Sequence, residues 1–179
     1  MNEAAPSGTT SSSRLRECLK NRRVRRLLRL ILIAAAAWLF FSRVCRPMIL
    51  SGRSMMPAFP QRGFVFCWYP AYWFSAPKRG DAAVFFVGGD RMAVLKRILA
   101  FEGETVECRA GEFYVNGEKL SEPYVKYRSP DWTIRPFRVA EGCVYVMGDN
   151  RSMTLAEHMA GETAIRRLAG KPLLIWSWQ

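Results

Sequence analysis

The chain changes character three times along its length. Residues 1–13 (MNEAAPSGTTSSS) are small and polar, with nothing to bury, and read as a disordered tail. Residues 14–26 form a basic helical flank. From Leu30 to Phe41 runs an unbroken apolar stretch, LILIAAAAWLFF. Twelve residues are too few to cross a bilayer. Counting from Leu27 to Cys45, with Arg29 and Arg43 snorkelling near the ends, gives 19, close to the roughly 20 that a hydrocarbon core needs. The pattern predicts one short transmembrane anchor over residues 27–45. It is apolar on all faces, unlike an amphipathic surface helix. The long basic region, and the apolar core running on through Trp38-Leu39-Phe40-Phe41, set it apart from a cleaved export leader.

Beyond residue 46 the pattern turns to β. Short runs such as FVFCW (64–68), AAVFFV (82–87) and CVYVM (143–147) are separated by Gly, Pro and Asp. Alternation of Phe113, Val115 and Leu120 around Asn116-Gly117 marks a hairpin with a type I′ turn. Only Thr163–Ala169 carries a trace of helical period. The fold class expected is mainly β: an antiparallel, barrel-like domain over residues 46–179 behind one N-terminal transmembrane helix. Those 134 residues suffice for one core.

Charge sharpens this picture. Lys and Arg number 27 against 15 acidic residues, a net +12, and residues 14–29 alone carry +7. Positive charge packed beside an apolar run points to anionic lipid rather than nucleic acid, and no nucleic-acid partner is expected. The positive-inside rule places the N-terminus in the cytoplasm and residues 46–179 outside, as a single-pass protein of the cytoplasmic (inner) membrane. Five cysteines (18, 45, 67, 108, 143) without a C-x-x-C pair, and a single histidine, His158, offer no metal-ligand spacing. No metal and no cofactor is expected. Cys67, Cys108 and Cys143 leave room for one disulfide, with buried thiols as the default.

Four segments carry chemistry: Ser51-Gly52-Arg53-Ser54-Met55-Met56-Pro57, Lys78-Arg79-Gly80-Asp81, Val94-Leu95-Lys96-Arg97-Ile98, and Gly148-Asp149-Asn150-Arg151 with Ser152-Met153-Thr154 behind it. A serine hydroxyl needs a neighbouring base to become a nucleophile. Lys96 sits among Val94, Leu95 and Ile98, a setting that desolvates an ammonium and pulls its pKa toward the range of a general base. Taken alone, a Ser after Gly reads equally as a turn, and a Lys-Arg pair as a solvated strand edge.

In order and in content these segments resemble the type I signal peptidases, membrane-anchored serine proteases that remove signal peptides from exported proteins. The family's S-M-x-P box matches Ser54, Met55 and Pro57; its R-G-D strand matches Arg79, Gly80 and Asp81; its K-R box matches Lys96 and Arg97; its G-D-N-R box matches Gly148, Asp149, Asn150 and Arg151. The resemblance spans roughly residues 25–179. It implies Ser54 as nucleophile and Lys96 as general base, with the Ser54 amide in the oxyanion hole and Gly52 at the position where some members place a side-chain donor. It also implies preproteins as substrates, the bilayer as a partner and small residues at the −1 and −3 positions of the cleaved bond.

After Arg151 the chain leaves the family pattern. The usual lysine-orienting serine is replaced in register by Thr154, with Ser152 as the alternative, and the usual buried Asp–Arg pair by Ala156 and His158. A rebuilt loop at Ser152–Gly161 follows, with His158 as a surface or loop residue. Two other functions fit the same features: a pilin-processing peptidase of conjugative transfer, and a catalytically inactive, membrane-anchored module that captures signal peptides. The aromatic run Trp68–Phe74 reads as core plus hairpin, or as a belt at the membrane interface.

Overall fold

A computed structural model describes residues 21–87, 92–158 and 161–177. The predicted tail, residues 1–13, and the first part of the basic flank, 14–20, lie outside the described residues. The chain divides into two compact units with the boundary between Ser42 and Arg43.

The described part of the first unit is a helix, α1 (Arg22–Arg43), whose last residue falls just past that boundary. The side chain of Asn21 accepts the Arg23 backbone N–H at 3.0 Å, an N-cap that satisfies one orphan donor. None of its residues is buried. Among the described residues no helix is long and apolar enough to cross a membrane. The expected span of residues 27–45 is cut short because Cys45 is drawn into a sheet opposite Trp68, which ends the helix at Arg43. From Leu27 that leaves 17 helical residues, about 25 Å at 1.5 Å per residue, against a core of roughly 30 Å.

The second unit is built from strands β1 (Cys45–Ser51), β2 (Arg62–Trp68), β3 (Ala82–Val87), β4 (Met92–Phe101), β5 (Thr105–Arg109), β6 (Glu112–Val115), β7 (Glu118–Lys119), β8 (Ile134–Arg138), β9 (Cys143–Met147), β10 (Gly161–Ala164) and β11 (Leu168–Ser177). They form a seven-stranded sheet in the order β1-β2-β11-β3-β4-β9-β10 and a four-stranded sheet in the order β7-β6-β5-β8. Among the described residues every pairing between these strands is antiparallel. Among the described residues neither sheet closes on itself, so the barrel-like expectation is corrected to two open sheets. The closing strand β11 inserts between β2 and β3 rather than joining the outer strands β1 and β10.

Asn116 and Gly117 turn β6 into β7 with φ of 52° and 83°, the positive pair that a type I′ turn requires. The weak helical period near Thr163 resolves into β10, a single 3₁₀ turn at Ile165–Arg167, and β11. Leu99, Val106, Phe113, Trp132 and Met147 form one buried cluster. Met55, Phe59, Cys67, Val84 and Leu95 form a second, which ties the segment after β1 to the large sheet. Cys45, Cys67, Cys108 and Cys143 carry free thiols. Trp68, Tyr69 and Tyr72 are half-buried, whereas Trp73 and Phe74 project into solvent, Phe74 at 93% exposure.

Candidate active site

Lys96 faces Ala83 across the β3–β4 ladder, and Arg97 faces Met147 across β4–β9, so this stretch of β4 is an interior strand with its backbone paired on both edges. Ser54 lies in a turn just past β1. Two local bonds hold that turn, from Met56 N–H to Arg53 C=O and from Phe59 N–H to Met55 C=O, while the Met55 side chain is buried in the core. Gly52 precedes it with φ of 138°, a conformation that L side chains rarely adopt. Pro57 follows within the same turn.

Lys96 Nζ and Ser54 Oγ are hydrogen bonded at 2.6 Å. Lys96 is only 3% exposed. Burial lowers its pKa from 10.5 to about 8, and the nearby Asp149 carboxylate opposes that fall without cancelling it. The amine is therefore available in its neutral form at mildly alkaline pH.

Residues 148–151 strap this pair in place. Asn150 donates its backbone N–H to Ser54 C=O at 2.9 Å and its side-chain amide to Arg53 C=O at 3.1 Å. Asp149, fully buried, accepts two bonds from the Arg97 guanidinium, at 2.8 and 2.6 Å. Arg97 also donates to Gly80 C=O and lies over the Tyr124 ring. Gly80 and Asp81 are pinned to β4 through Gly80 N–H to Ile98 C=O and Ile98 N–H to Asp81 C=O. The Asp81 carboxylate pairs with Lys171 on β11. The motif residues thus converge, with Ser54 and Lys96 in contact and the others bracing them.

Arg151 is fully buried. It donates to Gly148 C=O at 2.6 Å and to Glu122 at 2.5 Å, with its guanidinium over the Phe113 ring. Nothing in the pattern around Glu122 singles it out, and the sequence reading missed it. This buried pair supplies an ionic brace in a chain whose Ala156 and His158 cannot form one.

The loop after Arg151 corrects two expectations. Neither proposed hydroxyl bonds Lys96. Thr154 donates both its hydroxyl and its backbone N–H to Glu157 at 3.0 Å, capping the 3₁₀ turn Leu155–Glu157. Ser152 Oγ donates to Asn150 Oδ1 at 2.6 Å. Among the described residues, the hydrogen-bond partner of the Lys96 amine is Ser54 alone. His158 is no surface residue: it is 5% exposed and packs edge-on against Trp132 at 5.0 Å between centroids. The 3₁₀ turn carries it inward, because its backbone N–H closes that turn on Leu155 C=O.

A cleft of about 350 Å³ opens beside Ser54 and Lys96, with Ile49, Leu50, Met55, Leu95 and Met153 giving it an apolar wall. No cluster of metal-ligating side chains occurs among the described residues.

The chain is 32% identical over 155 residues to a probable signal peptidase I-1 of Synechocystis sp., covering 82% of this chain and 78% of that protein. It is 31% identical over 132 residues to signal peptidase I S of Bacillus subtilis, covering 68% and 71%. A signal peptidase I crystal structure from Enterococcus faecalis superposes with a TM-score of 0.45 at 28% identity, over 55% of this chain and 98% of that one. The profile of the family described as signal peptidase, peptidase S26, matches residues 23–178, and all four motif segments fall inside that span. The chain belongs to the signal peptidase family, peptidase S26.

Proposed function

We propose that this protein is a serine endopeptidase that removes N-terminal signal peptides from exported preproteins, with Ser54 as nucleophile and Lys96 as general base. The observation that carries the reading is the 2.6 Å contact between Ser54 Oγ and a buried lysine amine whose pKa sits near 8. The family relationship supplies the substrate class.

The neutral Lys96 amine accepts the Ser54 proton as Oγ attacks the scissile carbonyl carbon. The carbonyl π pair moves onto oxygen, and the Ser54 backbone N–H supports the resulting oxyanion. The C–N bond then breaks, the Lys96 ammonium returns its proton to the leaving amine, and an ester on Ser54 remains. A water, deprotonated by the same amine, hydrolyses that ester and restores Ser54 and Lys96. The apolar cleft suits an extended substrate with small side chains next to the cut.

The site works at the outer face of the cytoplasmic membrane, with the N-terminus inside and residues 46–179 outside. The apolar run 30–41, whose leucines and isoleucines are all exposed, and the arginines before it favour attachment to a bilayer as a short single-pass anchor. A helix shorter than the hydrocarbon core is accommodated by local thinning and by snorkelling arginines. Exposed Trp73 and Phe74 suit contact at headgroup depth.

The test is cleavage of a preprotein by the full chain reconstituted in vesicles, compared with Ser54→Ala and Lys96→Ala. Both variants should bind the preprotein and leave it uncut. A cleaving Ser54→Ala variant would refute the assignment, and an uncleaving wild type would favour a binding module.

A further inference from the structure

The dyad contains a lysine whose amine rotates freely unless a second group fixes it, and neither Thr154 nor Ser152 does so. Continuing the β4–β9 register one step past Arg97↔Met147 sets Gly148 opposite Lys96. Directly opposed residues present their side chains on the same face, about 4.5–5.5 Å apart at Cβ. Gly148 has no side chain to present, and His158 occupies that space. A Cβ built on Gly148 would collide with the Ser54 carbonyl oxygen and come within 2.8 Å of His158 Nδ1 and Cε1. The imidazole thus takes the cross-strand place beside Lys96, against the backbone of the nucleophile.

The hydrogen bonding of that ring is asymmetric. Nε2 lies 2.8 Å from Asn150 C=O, which only accepts, so Nε2 carries the proton and donates. Nδ1 is then a bare acceptor, and it is the one buried side-chain N or O among the described residues without a partner. Orphaned acceptors in folded proteins are uncommon and call for an explanation. The ring is held neutral: burial and then the Lys96 charge lower its pKa from 6.5 to about 4. Lys96 on β4, Arg151 after β9 and Glu157 on its own turn are the charged groups acting on the ring, and the Asp149 carboxylate acts in turn on Lys96.

We propose that His158 is the positioning residue for Lys96: its Nδ1 lone pair accepts a hydrogen bond from the amine across one bridging water, turning the nitrogen lone pair toward Ser54 Oγ. The link is drawn through water because the two groups share no direct hydrogen bond although both are buried and polar. The role rests on the Ser54–Lys96 reading above. It assigns a purpose to the position where the family pattern has arginine, and to the glycine that makes room for the ring.

Two substitutions separate the ring nitrogens. His158→Asn keeps an acceptor near the Nδ1 position but cannot reach Asn150 C=O. His158→Gln reaches that carbonyl and lacks the acceptor. With full-length protein in vesicles and a preprotein substrate, His158→Gln should lose kcat at least about tenfold with KM little changed. Its acid limb should move about half a pH unit or more to lower pH, because an acceptor that stabilised the ammonium is gone. His158→Asn should keep most of kcat and the wild-type limb. The reverse order, or equal losses with an unmoved limb, would overturn the proposal and leave His158 as a brace for Asn150. A second measurement needs no His158 variant: the ¹⁵N resonance of His158 Nδ1 should shift in Lys96→Met, and an identical resonance in both proteins would overturn the proposal. Ser54→Ala run in parallel separates the two levels, since cleavage surviving that change refutes the dyad itself.

Discussion

Replacing Lys96 by methionine should abolish cleavage and yet stabilise the fold. The amine titrates near 8 in the folded protein against 10.5 for an ordinary lysine, with burial as the main cause. Below about pH 8 both folded and unfolded chains carry the proton, so folding confines an ammonium where its charge is disfavoured. Between 8 and 10.5 the unfolded chain binds more protons, and stability rises with pH through that window. The difference of roughly 2.5 pH units corresponds to about 3 kcal/mol at pH 7. Methionine matches the length of the lysine stem and removes the charge, but forfeits the bond to Ser54, worth about 1 kcal/mol. A net gain of about 2 kcal/mol at pH 7 follows, and it should shrink to about zero by pH 10. Urea unfolding of the full chain in micelles, followed by tryptophan fluorescence at both pH values, measures it. A Lys96→Met protein less stable than wild type at pH 7, or a gain that persists at pH 10, would refute the electrostatic reasoning. Loss of stability on making the active site competent is the expected trade between function and fold.

Other consequences are equally concrete. Glu122→Leu strands the buried Arg151 guanidinium and should cost about 3–5 kcal/mol in the same unfolding assay, far more than a surface Glu substitution. Gly148→Ala drives a methyl group into Ser54 C=O and the His158 ring, so kcat should fall at least about tenfold even where the fold survives. His158, neutral when folded, contributes stability that is complete above about pH 6.5 and is lost as pH falls toward 4. His158→Gln should lack that acid-dependent increment, and matched wild-type and variant unfolding at pH 7 and 4.5 reads the difference.

The legible and the hidden parts of this protein differ in kind. Ser54, Lys96, Arg97 and Asp149 each lie in a contiguous motif, so a local pattern exposes them one by one, though not the Arg97–Asp149 pairing across 52 residues. Short apolar runs and one turn expose β2, β3, β9 and the β6–β7 hairpin. Glu122 meets Arg151 only through the fold, 29 residues away in sequence, and no local signal marks it. Thr154 was misread because a hydroxyl in the right register is also a good cap, and Glu157 three residues on completes a capping box. His158 was misplaced because nothing local in Ser152–Gly161 hints that a 3₁₀ turn folds it inward. The helix end was overrun because apolar periodicity cannot show where a chain leaves a helix for a sheet edge, as it does between Arg43 and Cys45. Barrel closure failed for a related reason: strand content does not say that β11 enters the middle of the sheet.

The central claim is that a neutral Lys96 takes the proton of Ser54, and the pH dependence of single-turnover cleavage tests it most directly. With wild-type protein in vesicles and a preprotein at saturating enzyme, the rate should rise about tenfold per pH unit below 8 and level off above it, as the amine loses its proton. A rate that is flat from about pH 6 to 9, or that falls through this range, would contradict the account.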